Sequence, residues 1–126
     1  MPHAYDTDLD RNPANHVPLT PISFLGRTAL AHPDRTAVIY GEVKRSWRET
    51  AERCRRLASA LAGRGVGKND TVAVMAPNIP EAFEATYGVP MAGAVLCALN
   101  TRLDAAAIAF QLRHSETRIL LAARTT

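Results

Sequence analysis

The chain has 126 residues, 47% hydrophobic and 21% charged, with a net charge of +3 and only 6% aromatics. That length suits one domain able to bury a core without disulfides or metals. Acidic residues are interspersed with the basic ones, which excludes the concentrated basic, aromatic-bearing face that nucleic-acid binding needs.

Residues 1–19 carry Pro2, Pro13 and Pro18 and no apolar run, so they read as an irregular arm and not as a secretory signal. The domain proper is expected over 20–126. Thr20-Pro21 opens a helix with a threonine cap and proline at the first helical position. Ile22, Leu25 and Ala29 share one face, and His32-Pro33 ends it, because the residue before proline avoids the helical region. Thr36–Tyr40 is a β-branched, apolar strand, Gly41-Glu42 a turn, and Val43–Arg45 the returning strand of a hairpin.

Ser46-Trp47-Arg48-Glu49 has the capping-box spacing, predicting a helix to about Ala62 with Thr50, Cys54, Leu57, Ala58 and Leu61 as its apolar stripe. Gly63 and Gly65 are expected to stop it in a left-handed conformation. Thr71–Ala76 reads as a strand covered on both faces. Asn78 is the expected cap of the next helix, which carries Pro80 and Glu81 in its first turn and is bent or ended by Pro90. Ala94–Leu99 is another strand, and Asp104 caps a helix to about His114 with Ile108, Phe110 and Leu112 inward. Arg118–Ala122 closes the series. This alternation predicts an α/β fold: a parallel sheet with right-handed crossovers, flanked by helices, with an N-terminal β-hairpin.

Several patterns invite a chemical reading and have a plainer one. Ala62–Asn69 (AGRGVGKN) looks like a phosphate loop, but Ala62 stands at the first glycine position, Asn69 replaces the hydroxyl residue, and a strand follows instead of a helix. A helix end plus turn explains it. The four histidines, His3, His16, His32 and His114, have no metal-ligand spacing. His114 with Ser115 and Asp104 lacks the glycine-flanked serine of a nucleophile elbow. Glu81 and Glu84 could be an acid pair, but structural roles are favoured, and Lys44, Arg45, Arg48, Arg53, Arg55 and Arg56 alternate with glutamates as on a solvated face. Cys54 and Cys97 sit in apolar surroundings and read as small buried hydrophobes in a reducing compartment, so a cytoplasmic protein is expected. The longest apolar stretch, 85–99, is too short for a membrane span. The residues by themselves reach an α/β domain and compel no reaction.

Three stretches carry a resemblance. They are 15–25 (NHVPLTPISFL) followed by 33–38 (PDRTAV), 70–81 (DTVAVMAPNIPE), and 88–119 (GVPMAGAVLCALNTRLDAAAIAFQLRHSETRI). In this order and spacing, over residues 15–122, the chain resembles the acyl-CoA synthetases of the adenylate-forming superfamily. The N-T-R-L segment with His114-Ser115 resembles the branch acting on medium-chain, branched or aromatic acids.

The resemblance implies the N-terminal subdomain of that fold and a two-step ligation. A carboxylate attacks the α-phosphate of ATP in the presence of Mg2+, and the CoA thiol then displaces AMP from the acyl-adenylate. The family uses a Ser/Thr/Gly-rich phosphate loop, a nucleotide site with an essential aspartate, and a lysine on a mobile C-terminal domain, none of which occurs in this sequence. No catalytic residue and no metal ligand is therefore assigned. The implied reading is a truncated acyl-CoA synthetase, inactive alone and binding neither ATP, Mg2+ nor CoA by itself. The sequence after 118–122 (RILLA) also departs from relatives, which usually continue with an acidic residue and a helix. One local site is implied: the turn Asn100-Thr101-Arg102 matches a turn lying near the CoA nucleotide in related synthetases, where Arg102 suits a phosphate. Its alternative is a structural strand-to-helix turn. The rival functions are a binding or complementation module that pairs with a separate catalytic core, and a nonfunctional remnant.

Overall fold

The computed structural model describes residues 10–124, so residues 1–9 of the expected arm and the last two residues lie outside it. Elements run α1 (Pro21–Ala31), β1 (Thr36–Tyr40), β2 (Val43–Ser46), α2 (Trp47–Ala62), β3 (Thr71–Met75), α3 (Pro80–Met91), β4 (Val95–Ala98), α4 (Ala105–His114) and β5 (Thr117–Ala122). β1 and β2 pair antiparallel through the two-residue turn Gly41-Glu42, and Gly41 takes the positive φ (56°) such a hairpin asks of glycine. The other strands form a parallel sheet in the order β4-β3-β5.

The local chemistry sets the helix starts. Thr20 Oγ1 accepts from the Ser23 amide, and Pro21 occupies the first turn. At α2 the capping box is complete: the Glu49 amide donates to Ser46 Oγ at 3.2 Å and the Ser46 amide to Glu49 Oε2 at 2.7 Å. The Ser46 amide first, and the Ser46 hydroxyl second, hold the Glu49 carboxyl below its ordinary value. At α3 the expected cap is corrected. Ile79, not Asn78, is the N-cap and makes no side-chain bond, because Pro80 sets the first helical position by itself. Pro90 falls in the last turn, where the helix is already ending. Gly65, and not Gly63, takes the left-handed conformation after α2 (φ 78° against −62°).

α2 lies against α3 and both cover one face of the sheet. Leu61, Val66, Val72, Val74, Ala85, Val89 and Ala94 form the main core, and Leu25, Ala51 and Cys54 a second one under α1. Gly88 permits the close approach of the two helices: a Cβ there would lie 2.7 Å from Leu57 Cδ2 and 3.0 Å from the Cys54 carbonyl oxygen. β3 is buried on both faces, as its continuous apolarity implies, with Val72 and Ala73 fully enclosed. α4 departs from expectation. It has no buried residue, and Phe110 is 61% exposed, stacked on His114 at the surface and not packed inward. Cys97 is only half-buried, whereas Cys54 is enclosed.

Candidate functional site: the carboxyl ends of the parallel strands

β3 connects through α3 to β4, and β4 through α4 back across β3 to β5, and parallel connections of this kind follow the right-handed rule. The two steps run in opposite directions, so α3 and α4 leave toward opposite faces of the sheet. The carboxyl ends of β3 and β4 therefore form a topological switch point, where open α/β sheets place ligands.

Two loops meet there. The first, Ala76–Ile79, follows β3. The second, Leu99–Asp104, follows β4 and contains the sequence-predicted turn. It is tied to the sheet by the Leu99 amide, which donates to the Val74 carbonyl at 2.9 Å. Within it the Arg102 amide donates to Asn100 Oδ1 at 3.0 Å, and the Leu103 amide to the Asn100 carbonyl at 3.3 Å. Asp104 Oδ1 accepts from the Ala107 amide at 2.8 Å and caps α4. Asn100 and Asp104 are thus used by the backbone. Thr101 and Arg102 are exposed, and among the described residues Arg102 pairs with no carboxylate. The three turn residues are together because they are consecutive; no distant side chain joins them by a hydrogen bond among the described residues.

Beside the switch point lies an apolar cleft of about 540 Å³, walled by Ala76, Ile79, Phe83, Leu96 and Leu99, with Val38–Tyr40 of the hairpin closing one side. Its few polar groups include Asn78 and Thr86. It can hold an apolar or aromatic group, and no carboxylate, histidine, lysine or cysteine is among its lining residues. Sequence reasoning missed the hairpin's part in this wall, since nothing in Val38–Tyr40 signals which later element it will meet. Asn78 carried a signal, a polar residue just beyond a parallel strand, but it read more simply as a cap.

A second cluster lies between β2, α2 and α3. Glu84 is 5% exposed, and its Oε1 accepts from Arg45 Nη1 at 2.5 Å and from Arg53 Nε at 2.6 Å. Glu81, half in water, adds weaker contacts to both arginines at 3.4 and 3.6 Å. The Arg53 guanidinium is held still more firmly protonated, first by its bond to Glu84. This corrects the expectation of a wholly solvated basic face: Arg45 and Arg53 turn inward because a buried carboxylate must be paired. Glu84 is thus a paired, buried carboxylate, and Glu81, in the first turn of α3, adds longer contacts to the same arginines. Among the described residues no group of three or more His, Cys, Asp or Glu side chains could hold a metal ion.

The AMP-binding enzyme family profile matches residues 25–126. The chain belongs to the AMP-binding enzyme family. It is 53% identical, over 90% of its length, to a peroxisomal acetate/butyrate–CoA ligase of Arabidopsis thaliana, and 50% identical, over 94%, to a peroxisomal benzoate–CoA ligase of the same plant. The chain spans about a fifth of the length of these relatives, 20% in each case. Among solved structures, the N-terminal subdomain of Klebsiella oxytoca NpsA with anthranilyl-AMSN superposes with a TM-score of 0.75 at 28% identity, over 80% of this chain and 27% of that one. Unliganded O-succinylbenzoate–CoA synthetase of Bacillus subtilis gives 0.77 at 30% identity, over 82% and 23%. The hairpin plus parallel sheet of this AMP-binding chain is thus the architecture of an N-terminal subdomain of adenylate-forming enzymes.

Proposed function

We propose that this chain supplies the N-terminal scaffold of an ATP-dependent acid–CoA ligase and carries out no ligation by itself. The observation that supports this best is an identity of about one half, over nine tenths of the chain, to enzymes named as acetate/butyrate– and benzoate–CoA ligases. The reaction joins a carboxylate to the α-phosphate of ATP with loss of pyrophosphate, then exchanges AMP for the CoA thiol. The acid proposed is a medium-chain, branched or aromatic one. Mg2+ supplies charge neutralisation on the ATP phosphates, and its ligands are assigned to the rest of the enzyme. What these residues contribute is position: a sheet whose carboxyl ends fix the loop after β4, and an apolar wall beside it.

Within that reading, Asn100 shapes the turn, and Arg102 extends as a charge-assisted donor to a phosphate of the CoA nucleotide. Its exposure and lack of a carboxylate partner among the described residues support this. The compartment proposed is the cytoplasm, supported by the two unpaired thiols; several relatives are themselves named peroxisomal. Among the described residues no helix is long and apolar enough to cross a membrane.

The test is a chimera in which this chain replaces the matching first fifth of the benzoate–CoA ligase. Thioester formation by the chimera, with no ATP–pyrophosphate exchange by the 126-residue chain alone, is the expected pair of results. An inactive but folded chimera, or clear exchange by the chain alone, rejects the reading. In the chimera Arg102→Ala raises KM for CoA about tenfold, for loss of one charge-assisted bond, with kcat and KM for ATP unchanged.

A second reading, in which the chain acts in trans on a separately encoded catalytic core, is favoured by one observation. Large apolar side chains stand in water: Ile39 is 68% exposed and Val95 52%. Restoration of activity on mixing the chain with the remaining four fifths of a relative separates it from the first.

A further inference from the structure

Away from the switch point, one stretch of surface combines two features. The three most water-exposed large apolar side chains among the described residues are Leu30 at 85%, Leu19 at 76% and Val17 at 74%, and all lie within residues 17–30. Phe24, half exposed, belongs to the same stretch. The sequence there is also one-sided in charge. From Arg11 to Pro33 no acidic residue occurs, while Arg11, Arg27, His16 and His32 do.

Helix α1 orders part of this surface. Leu25 is buried in one cluster with Ala51 and Cys54 of α2. Phe24, Arg27 and Leu30, spaced three apart, run along the opposite side of the helix. The Arg27 guanidinium lies 5.9 Å from the centre of the Phe24 ring, and among the described residues it pairs with no carboxylate. A helix apolar on both sides implies a second contact besides the core. The flanking acids in sequence are Asp10 and Asp34, and Asp34 is already engaged by Arg48 at 3.1 Å.

Charge and shape select the partner. A second copy laid on this side of α1 would bring cation toward cation. Side chains this far in water stand proud of the surface, so the partner must admit protruding groups. An anionic bilayer meets both demands. Its acyl boundary takes the apolar side chains, and its phosphates take Arg27, whose aliphatic stem can lie along the same boundary. Among the described residues no helix is long and apolar enough to cross a membrane, so the contact runs along the lipid surface.

Independently of the ligase reading, we propose that the outer side of α1, with residues 17–19 before it, docks the chain on an anionic lipid bilayer, with α1 lying in the interfacial plane.

The test sediments the full 126-residue chain with vesicles of phosphatidylglycerol and phosphatidylcholine and, in parallel, with vesicles of phosphatidylcholine alone. Sedimentation with the mixed vesicles is expected, weaker by about tenfold on the neutral ones and reduced by added salt. Phe24→Ser and Leu30→Ser each weaken it by about tenfold, for the loss of one large apolar side chain. Arg27→Gln weakens it by about fivefold on the mixed vesicles and leaves the neutral ones unchanged. Circular dichroism checks that each variant is folded; should Phe24→Ser unfold the chain, Leu30→Ser and Arg27→Gln carry the test. Ile39→Ser, at the exposed hairpin, leaves binding intact, and a larger loss there than at Leu30 puts the contact elsewhere and overturns the proposal. So do no sedimentation with the mixed vesicles, equal binding to the neutral ones, or binding indifferent to Leu30→Ser. Dimers that Leu30→Ser dissolves, without vesicle binding, make this face a self-contact and overturn it as well. None of these outcomes bears on the chimera, which tests the ligase reading alone.

Discussion

The two ends of the molecule are built to different standards. Around α2 and α3, helices meet through Gly88, Cys54 is enclosed, and a buried carboxylate is clasped by two arginines from separate elements. Around α4 and β5 no residue of α4 is buried, Phe110 and Leu120 meet water, and among the described residues β5 has a neighbouring strand on one side alone. What pins β5 in place at its start is polar: Arg118 Nη1 donates to Asp70 Oδ2 at 2.8 Å and to the Gly65 carbonyl at 3.0 Å. The first region meets its own packing requirement, and the second presents surface. Within one small domain, the completeness of local packing thus differs between two neighbouring sets of elements.

The comparison breaks most sharply at Glu84. Glu84→Ala leaves Arg45 and Arg53 only their longer contacts to the half-exposed Glu81, and breaking such a buried pair costs about 3 kcal/mol, the low end of the range because Glu81 stays nearby and both arginines keep some water. Glu81→Ala, at a half-exposed carboxylate, costs under about 1 kcal/mol. Urea unfolding of both variants checks the pair. Equal losses would show that the cluster is a surface network and not a core element.

Gly88→Val comes next, at about 2 kcal/mol. The Leu57 methyl can swing away from the new side chain, but the Cys54 carbonyl belongs to the backbone of α2 and cannot. Gly88→Ala costs less, since the gain in helix propensity, about 1 kcal/mol, offsets part of the crowding. A Gly88→Ala variant more stable than the parent would mean that α2 and α3 are free to move apart.

The same contrast explains what was legible in the sequence. Elements defined by local chemistry were read closely: the capping box at Ser46 and Glu49, Thr20 before Pro21, Asp104 before α4, and the alternation that implies a parallel sheet. Features that depend on distant partners were not. Arg45, Arg53 and Glu84 lie up to 39 residues apart, and charges along a helix look solvated until a third element turns them inward. Phe110 fits an inward stripe by spacing, yet a stripe is buried only where something covers it, and nothing in 105–114 tells what does. The Asn100–Arg102 turn was found by resemblance. Its geometry, an asparagine bonding two residues onward, is local, while its position at the switch point is a property of topology.

Titration separates the regions more gently. Burial first, and then the Glu84 charge, push the Cys54 thiol up to about 11. Thiolate is the reactive form, so at pH 7.5 iodoacetamide is expected to label Cys97 before Cys54, which reacts only on unfolding. Since the folded value of Cys54 lies above the unfolded one of about 8.5, its contribution to stability is complete below that pH and lost as pH rises toward 11. Asp70 behaves oppositely. Its carboxyl is lowered by the Gly67 amide first and Arg118 second, so its contribution is present above about pH 4 and lost as pH falls through the lowered folded value. Melting temperatures across pH 3–11 check both limbs. Asp70→Asn removes its contribution from the acid limb, and leaves the alkaline one.

The smallest effect is the most discriminating. Phe110→Ala in the isolated chain changes stability by about 0.5 kcal/mol or less, because the ring is mostly in water and stacks on His114 at the surface. In the chimera the same substitution reads the environment of α4 directly. A loss there of about 2 kcal/mol or more means that the rest of the enzyme covers this helix. An unchanged small loss means that α4 faces solvent in both settings. Either outcome assigns a reason to the absence of buried residues in α4, which helix propensity and capping alone do not supply.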